Sequence, residues 1–337
     1  MDFDINETTT EDANTVVNNG SLLLEVVSHI LHTYAYLFIG ALLILVNIPV
    51  FLLVIMHKTL RNPYAILTVA FFNSELTGVS AILLGVKRII VSVGGERLID
   101  HHGCVLNIPI LLLTSYFLNG LCLLMNSIER LCVVAFPIYY YTHSTRIIYS
   151  LIAAQYVIAI IAITSTATAS LIEPTRNISN FCWLQDVYSS HFYTATVGLT
   201  TAASFLSVVL MVIVVIILRK KFGAQFLSNH SRYGDLTQFL KNQKQYTQTS
   251  LISCCFTFFF VVLPSIAEYI NLMGTSVVSE IIVMICVYLR LLNSCNMAIV
   301  FLYLQKDLRS TAIQSFKNRF RGRKDHVQSI KTTGFGK

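Results

Sequence analysis

The chain has 337 residues, of which 55% are hydrophobic and only 12% are charged, and its mean hydropathy is +0.66. Soluble domains average roughly 25% charged residues, so this composition excludes a soluble enzyme, a disordered regulator and a small disulfide-stapled secreted protein. It predicts a protein that crosses the membrane several times. The net charge of +7 is typical of basic cytoplasmic loops and does not indicate a nucleic-acid partner.

Seven apolar stretches are long enough to span a bilayer, whose core is about 30 Å thick and requires about 20 helical residues. We predict an all-α membrane fold with spans over residues 34–56, 64–92, 105–135, 147–172, 191–218, 249–274 and 278–304. After the seventh span, residues 306–320 place apolar side chains four residues apart with basic residues between them. That spacing predicts a short amphipathic helix on the membrane surface.

Charge predicts the orientation of the bundle. Residues 1–32 carry six acids and no Lys or Arg. With the N-terminus outside, nineteen of the 24 basic residues fall in cytoplasmic segments, as the positive-inside bias requires. We therefore predict an acidic extracellular N-terminus (1–33), a seven-span domain (34–304) and a cytoplasmic amphipathic helix with a basic tail (305–337).

Two patterns agree with this orientation. Glycosylation sequons at Asn6, Asn19 and Asn177 lie on the predicted outer side, although a fourth, at Asn229, falls in a predicted cytoplasmic loop. Six of the eight cysteines lie in or near spans and are expected to be packing residues. The other two, Cys104 and Cys182, face the oxidising side. A disulfide between them would hold the second outer loop over the bundle, and the alternative is two unrelated thiols.

The end of the third span carries the most specific motif. Residues 125–141 read MNSIERLCVVAFPIYYY, which resembles the acid–arginine signature of rhodopsin-like G-protein-coupled receptors. Glu129 and Arg130 match the charged pair, and Pro137 matches the proline of the second inner loop. The segments LRNPYAIL, GVKRII and IERLCVVAFPIYY are most similar to nematode serpentine chemoreceptors of the Srsx type.

The resemblance covers about residues 34–320 and implies a plasma-membrane receptor without enzymatic activity or cofactor. Such a receptor passes the binding of an extracellular ligand to a heterotrimeric G protein. A neuropeptide receptor of the same fold is the alternative within this class. Basic residues after the seventh span are expected to bind anionic membrane lipid, with transducer contact as an added role for a few of them.

The resemblance also implies which residues switch the receptor, namely Glu129, Arg130, Pro137, Phe258, Pro264 and Phe301. At rest Arg130 pairs with Glu129 and on activation it releases towards the transducer; the alternative is an arginine that anchors a helix end at the interface. Pro264 is either a hinge or a static kink. The chain departs from the family at Val262, where a Trp is usual, and at Phe301, which replaces the switch Tyr.

A polar cluster is implied in the middle of the bundle, at positions that line the family's sodium and water pocket. Its members are Asn47, Glu75, Asn119, Asn293 and Ser294. Glu75 either binds a cation or is protonated and hydrogen-bonded to these neighbours.

The ligand site is expected in the outer half of the bundle, with candidates Thr114, Tyr116, Phe117, Tyr193, Glu268, Tyr269 and Arg290. Arg290 either pairs with Glu268 or Glu75, or receives an anionic group of the ligand. The third span has no acid between Cys104 and Glu129, which argues against an amine ligand. The candidates suit a small, moderately apolar ligand or a peptide terminus.

Two other classes of protein fit less well. A transporter or channel would use Glu75, Glu268 and Arg290 as a relay, but the sequence has no inverted repeats and no pair of Gly/Pro-broken spans. An intramembrane metalloenzyme would need ligands inside the spans. All nine histidines fall at span ends, in loops or in the tails, so no metal site is predicted.

Overall fold

The computed structural model describes residues 34–57, 65–95, 97–221, 247–272 and 278–304, together with 309, 310 and 313. Seven of its helices are long and apolar enough to cross a membrane, which confirms the predicted all-α seven-helix bundle. The sequons at Asn6 and Asn19 lie outside the described residues, as does nearly all of the amphipathic helix predicted at 306–320. The orientation in the membrane stays a prediction.

The spanning helices are labelled α1 to α7 in chain order. They are α1 (Tyr34–Met56), α2 (Ala65–Gly94), α3 (Ile108–Ala135), α4 (Pro137–Ile172), α5 (Ser190–Lys221), α6 (from Thr247 to Leu272) and α7 (Val278–Leu304). Between α2 and α3 lie strand β1 (Leu98–Asp100) and a one-turn helix (His102–Val105). Between α4 and α5 lie strand β2 (Asn177–Ser179) and a second one-turn helix (Leu184–Val187).

The fourth span begins ten residues before its predicted start. Pro137 lies in the first turn of α4, where its missing N–H breaks no helical hydrogen bond, and Phe136 caps the helix with non-helical angles (φ −129°, ψ 60°). His143 is also non-helical (φ −121°, ψ 16°) and marks a kink between this polar first segment and the apolar span. The segment predicted as the second inner loop is therefore largely helical. The hydropathy pattern did not detect this part of the helix because its residues are more polar than those of the span.

Helix α3 lies at the centre of the bundle and packs against α2, α4 and α5. The main core cluster joins side chains of α1 to α5 and α7, including Leu43, Leu84, Leu112, Ile163 and Leu291. A second cluster joins α1, α2, α3, α4 and α7 around Val54, Phe71 and Phe301. Large apolar side chains are exposed on the outside of the bundle, including Phe38, Leu45, Ile160, Ile161 and Ile216, as expected for a surface that faces lipid.

Glycines bring α1 and α2 into close contact. A Cβ atom on Gly40 would lie 2.8 Å from the carbonyl oxygen of Gly78 and 2.9 Å from the backbone nitrogen of Ile82. A Cβ on Gly85 would lie 2.9 Å from the backbone nitrogen of Leu37. Because these neighbours are backbone atoms, they cannot move away without shifting a helix. Small residues at helix contacts are typical of membrane bundles, where close packing replaces the hydrophobic drive.

We expect Gly40→Ala to destabilise the protein by about 1–3 kcal/mol, because the added methyl group overpacks the α1–α2 contact. Gly198→Ala in α5 is the matched control, since a Cβ atom added there would meet no atom within 4 Å apart from its own stretch of helix. Thermal unfolding of the purified protein measures both variants. Equal midpoints for the two variants would contradict the close contact.

Candidate functional site

One end of the bundle, called the disulfide end, is closed by the segment that connects α4 to α5. Cys104 and Cys182 form a disulfide with Cα atoms 5.8 Å apart, and both are buried. Strands β1 and β2 pair antiparallel beside it, with Ile99 opposite Ile178. Asn177 is exposed on β2, where its side chain is accessible to solvent. The disulfide and the sheet together fix the connecting segment, residues 173–189, to the rest of the bundle.

A buried arginine also holds the connecting segment. The guanidinium carbon of Arg88 lies 4.5 Å from the ring centroid of Tyr36 on α1 and 4.2 Å from that of Trp183. Lys87 donates a hydrogen bond of 3.0 Å to Sγ of Cys182. Desolvated cation–π contacts of this kind are worth about 2 kcal/mol. The role of Arg88 is not predictable from the sequence, where the only signal is a basic pair, Lys87 and Arg88, at the end of an apolar span.

A cavity of about 50 Å³ lies beneath this segment, between α3, α5, α6 and α7, with room for roughly three to five water molecules. Leu184 of the connecting segment forms part of its wall. Three predicted ligand residues line it, namely Tyr116, Tyr193 and Arg290.

Two other predicted ligand residues, Thr114 and Phe117, are not part of the described lining of this cavity. Thr114 donates to the carbonyl of Ile110 in its own helix (2.6 Å). Phe117 is buried in the main core cluster, so it is a packing residue. The side chains of Glu268 and Tyr269 lie outside the described part of the structure.

The polar cluster connects four helices. Nδ2 of Asn119 donates to Oγ1 of Thr77 (2.9 Å) and to Oγ of Ser294 (3.2 Å), and Nδ2 of Asn47 donates to the carbonyl of Ser294 (3.3 Å). Asn119 and Ser294 also line the cavity, so the cluster forms its floor. Thr77 was not predicted to belong to this cluster, because a hydroxyl in an apolar span usually bonds only its own helix. Thr77 also makes such a local bond, to the carbonyl of Asn73.

The remaining two predicted members of the cluster behave differently. Asn293 accepts a hydrogen bond of 3.1 Å from Thr257, which ties α7 to α6. Glu75 is partly buried, and one carboxylate oxygen is enclosed without a hydrogen-bond partner among the described residues. The structure therefore does not join Glu75 to the hydrogen-bonded cluster.

The opposite end of α3 holds the charged pair and is called the arginine end. Nη2 of Arg130 lies 2.6 Å from Oε2 of Glu129, and the side chains are only 1% and 3% exposed. Tyr140, in the first segment of α4, donates a hydrogen bond of 2.5 Å to Oε1 of Glu129. Breaking such a buried pair leaves an uncompensated charge and is strongly unfavourable, so a replacement partner is needed before Arg130 can leave.

Helix α6 is irregular beside the predicted switch residues. Phe258–Val262 is a π-helical turn, in which the N–H of Leu263 bonds the carbonyl of Phe258. Pro264 follows directly and cannot donate a backbone hydrogen bond, so the irregularity lies where the regular pattern is already interrupted. On α7, Phe301 is fully buried in the second core cluster. Phe301, predicted as a switch residue, is thus an apolar packing residue.

Three side chains at the disulfide end, Asp100, His101 and His102, are close enough together to resemble a metal site. However, Nδ1 of His101 accepts the N–H of Arg176 (3.2 Å) and its Nε2 faces the carbonyl of Ser170 (3.1 Å), so both ring nitrogens are occupied. This cluster is better explained as a structural contact between the two outer segments.

His102 faces an acceptor on each side. Its Nδ1 lies 3.0 Å from Oδ1 of Asp100 and its Nε2 lies 3.1 Å from the carbonyl of Leu171. Only the doubly protonated ring donates to both. The hydrogen bond to Asp100 raises the pKa of His102, and the same hydrogen bond lowers the pKa of Asp100.

The sequence matches no protein-family model, and no curated protein is similar to it. Three arrangements in the structure bear on function: the cavity, the polar cluster beneath it, and the buried charged pair at the arginine end.

We expect the thermal stability of the protein to fall as the pH rises above about 6.5, the ordinary pKa of histidine. The raised pKa of His102 makes its stabilisation complete below that pH and lost as the pH passes the folded-state value. Because the pKa of Asp100 is lowered, the stabilisation that its carboxylate provides is complete above pH 3.8 and is lost only as the pH falls through the folded-state pKa. His102→Gln should flatten the alkaline loss, whereas His191→Gln, at an exposed position on α5, should not. Parallel pH profiles for all three proteins would contradict this assignment.

The contact between Arg88 and Trp183 is testable by a double-mutant cycle with Arg88→Gln and Trp183→Leu. We expect a coupling of about 0.5–2 kcal/mol in thermal unfolding, since each single variant already removes the cation–π contact. Additive effects would show that the two side chains do not interact.

Proposed function

We propose that this chain is a G-protein-coupled receptor of the plasma membrane, chemosensory in role, which converts the binding of a small extracellular molecule into activation of a heterotrimeric G protein. The observation that carries the proposal is the buried pair of Glu129 and Arg130, closed by Tyr140, at one end of a seven-helix bundle. The cavity lies towards the other end. In the predicted orientation, the disulfide end faces outwards and the arginine end faces the cytoplasm.

The charged pair has the properties of a two-state switch. With Tyr140 bonded to Glu129, the arginine is held inside the bundle and is not available to a partner. Release requires another group to accept the arginine, because an unpaired buried charge is costly. A transducer that offers carbonyl groups to Arg130 would bind the released state more tightly and so shift the population towards it.

Helix α6 lines the cavity and runs from there towards the arginine end of the bundle. Val261 belongs to the π-helical turn and also lines the cavity, and Ser265 lines it one residue after Pro264. A ligand in the cavity therefore contacts both sides of the irregular segment of α6. Asn293, which also lines the cavity, bonds Thr257 of the same helix. A ligand that favours a different geometry of this turn would change the position of the arginine end of α6.

The size and cover of the cavity favour a small molecule over a peptide. The cavity is about 50 Å³, and Leu184 of the disulfide-bound connecting segment closes part of its wall. A peptide would have to displace that segment, which the disulfide, the β1–β2 sheet and Arg88 all hold in place.

We expect Tyr140→Phe to raise ligand-independent nucleotide exchange on a G protein, by about tenfold or more, because a hydrogen bond to a charged group is worth about 1.5–3 kcal/mol. Arg130→Ala should abolish exchange. The assay uses the purified full chain in lipid nanodiscs with a panel of G proteins, so no ligand need be known.

The matched control is Tyr149→Phe, since Tyr149 is exposed on the same helix and should be neutral. Equal exchange by the Tyr140 and Tyr149 variants would contradict the switch. Solute flux that survives Arg130→Ala, without nucleotide exchange on any G protein, would overturn the receptor proposal itself.

A further inference from the structure

Two hydroxyl groups in the wall of the cavity have no partner among the described residues. They belong to Tyr116 of α3 and Ser265 of α6, and both residues line the cavity. The two hydroxyl oxygens are buried, and neither makes a hydrogen bond within the described part of the chain. Ser265 as a whole is only 7% exposed. A buried hydroxyl without a partner is costly, so a ligand atom that bonds either group gains free energy.

The free hydroxyl of Ser265 coincides with the irregular turn of α6. Thr257, in the regular part of the same helix, donates to the carbonyl of Ser253 one turn back (3.0 Å). Ser265 makes no such bond. The carbonyl one turn before Ser265 is that of Val261, which belongs to the π-helical turn Phe258–Val262. The irregular turn therefore ends at a hydroxyl that is not used by its own helix, in the wall of the cavity.

The wall formed by α5 offers the opposite chemistry. Thr200 donates its hydroxyl proton to the carbonyl of Thr196 (2.8 Å), Thr201 to that of Val197 (2.9 Å), and Ser204 to that of Thr200 (2.9 Å). All three residues line the cavity. Because each hydroxyl already donates within its own helix, its oxygen presents only acceptor lone pairs to a ligand. This wall therefore favours a ligand that carries a donor.

The cavity also has an aliphatic surface and a small volume. Its aliphatic lining comes from Leu113, Leu123, Val197, Val261 and Val287. Each CH₂ group that a ligand buries against such a surface contributes about 0.8 kcal/mol. The volume of about 50 Å³ has room for a ligand of roughly three to five non-hydrogen atoms. A short alkyl chain with one polar group matches both properties.

The groups assigned to the ligand are neutral. They are the hydroxyls of α3, α5 and α6, none of which supplies a countercharge. Arg290 also lines the cavity, but it already has an interaction within the protein and is not assigned to the ligand. A charged ligand would lose its hydration on entering without gaining a partner of opposite charge, which is strongly unfavourable. The lining therefore favours an uncharged molecule.

We infer that this cavity binds a small neutral alcohol. The oxygen of the alcohol accepts hydrogen bonds from Tyr116 and Ser265 and donates its own proton to a hydroxyl oxygen of α5, while its alkyl chain lies against the aliphatic lining. This inference rests on the proposed function and names its ligand class. It also gives the ligand a direct contact with α6 through Ser265, the residue that follows Pro264.

The test uses the purified full chain in nanodiscs and a set of small probes. 1-Butanol is measured beside methyl propyl ether, an isomer that accepts a hydrogen bond but cannot donate one, and beside butylammonium and propionate, which are similar in size and charged. Saturation-transfer NMR measures the binding, with empty nanodiscs as the blank for partition into lipid. 1-Butanol should bind about threefold to tenfold more tightly than the ether, because only the alcohol donates to α5. The two charged probes should bind more weakly still.

Two variants with matched controls locate the contacts. Ser265→Ala and Tyr116→Phe should each weaken 1-butanol about threefold to tenfold. Neither should lower the thermal midpoint of the ligand-free protein, because each removes a hydroxyl that has no protein partner. The controls are Ser165→Ala and Tyr149→Phe, at exposed positions on α4, which should leave the affinity unchanged. A purely structural role would instead lower the midpoint and leave the affinity alone.

The outcomes separate this inference from the proposed function. Binding of 1-butanol that depends on Ser265 and Tyr116, with no nucleotide exchange on any G protein, would support the ligand class and overturn the receptor. Nucleotide exchange driven by the charged probes, without binding of the alcohol, would overturn the ligand class alone. Equal affinities for 1-butanol and its ether, or an affinity that both variants leave unchanged, would also overturn the inference.

Discussion

Backbone hydrogen bonding in hydrocarbon is the constraint on which this structure depends. With no water available, each N–H and C=O group needs a partner within the protein, so the chain crosses only as helices. The same constraint governs the hydroxyl side chains, many of which donate to a carbonyl one turn back, as Thr77, Thr164 and Thr200 do. Among the described residues, other polar side chains bond across helices instead, as Asn119 and Glu129 do. The function of the bundle is therefore concentrated at those contacts.

Two such contacts lie along α3. Asn119 joins α2 and α7 at the floor of the cavity, and Glu129 binds both Arg130 and Tyr140 nearer the other end of the helix. The core clusters fill the space around them with apolar side chains. An apolar core transmits displacement because it is closely packed, whereas the polar contacts provide alternative pairings. Together these properties allow a bundle to adopt two packings that differ in the partners of a few side chains.

The sequence predicted the seven spans, the bridge between Cys104 and Cys182, and the pairing of Arg130, because length, compartment and a local motif specify them. The sequence did not predict which side of each helix faces its neighbours. A span that is apolar all round does not reveal which side meets a neighbour, so Phe117 was predicted in the ligand site although it packs in the core. For Glu75 the sequence left open whether it binds a cation or bonds its neighbours, and one of its carboxylate oxygens has no hydrogen-bond partner among the described residues. The start of α4 was predicted as a loop, because a hydropathy pattern detects only helices that are apolar over their length, and this first segment is more polar.

The position of Trp183 gives the protein an optical reporter. Trp183 is the single tryptophan of the chain, and its ring lies against the guanidinium of Arg88. It belongs to the segment that connects α4 to α5, and the next residue, Leu184, lines the cavity. The tryptophan fluorescence of the unlabelled protein therefore comes from one place, at the disulfide end of the bundle. The emission of an indole ring depends on nearby charge and on its exposure to water. Movement of the connecting segment away from Arg88 would change the emission wavelength of Trp183. Stopped-flow mixing could then measure the rate of that movement without a dye.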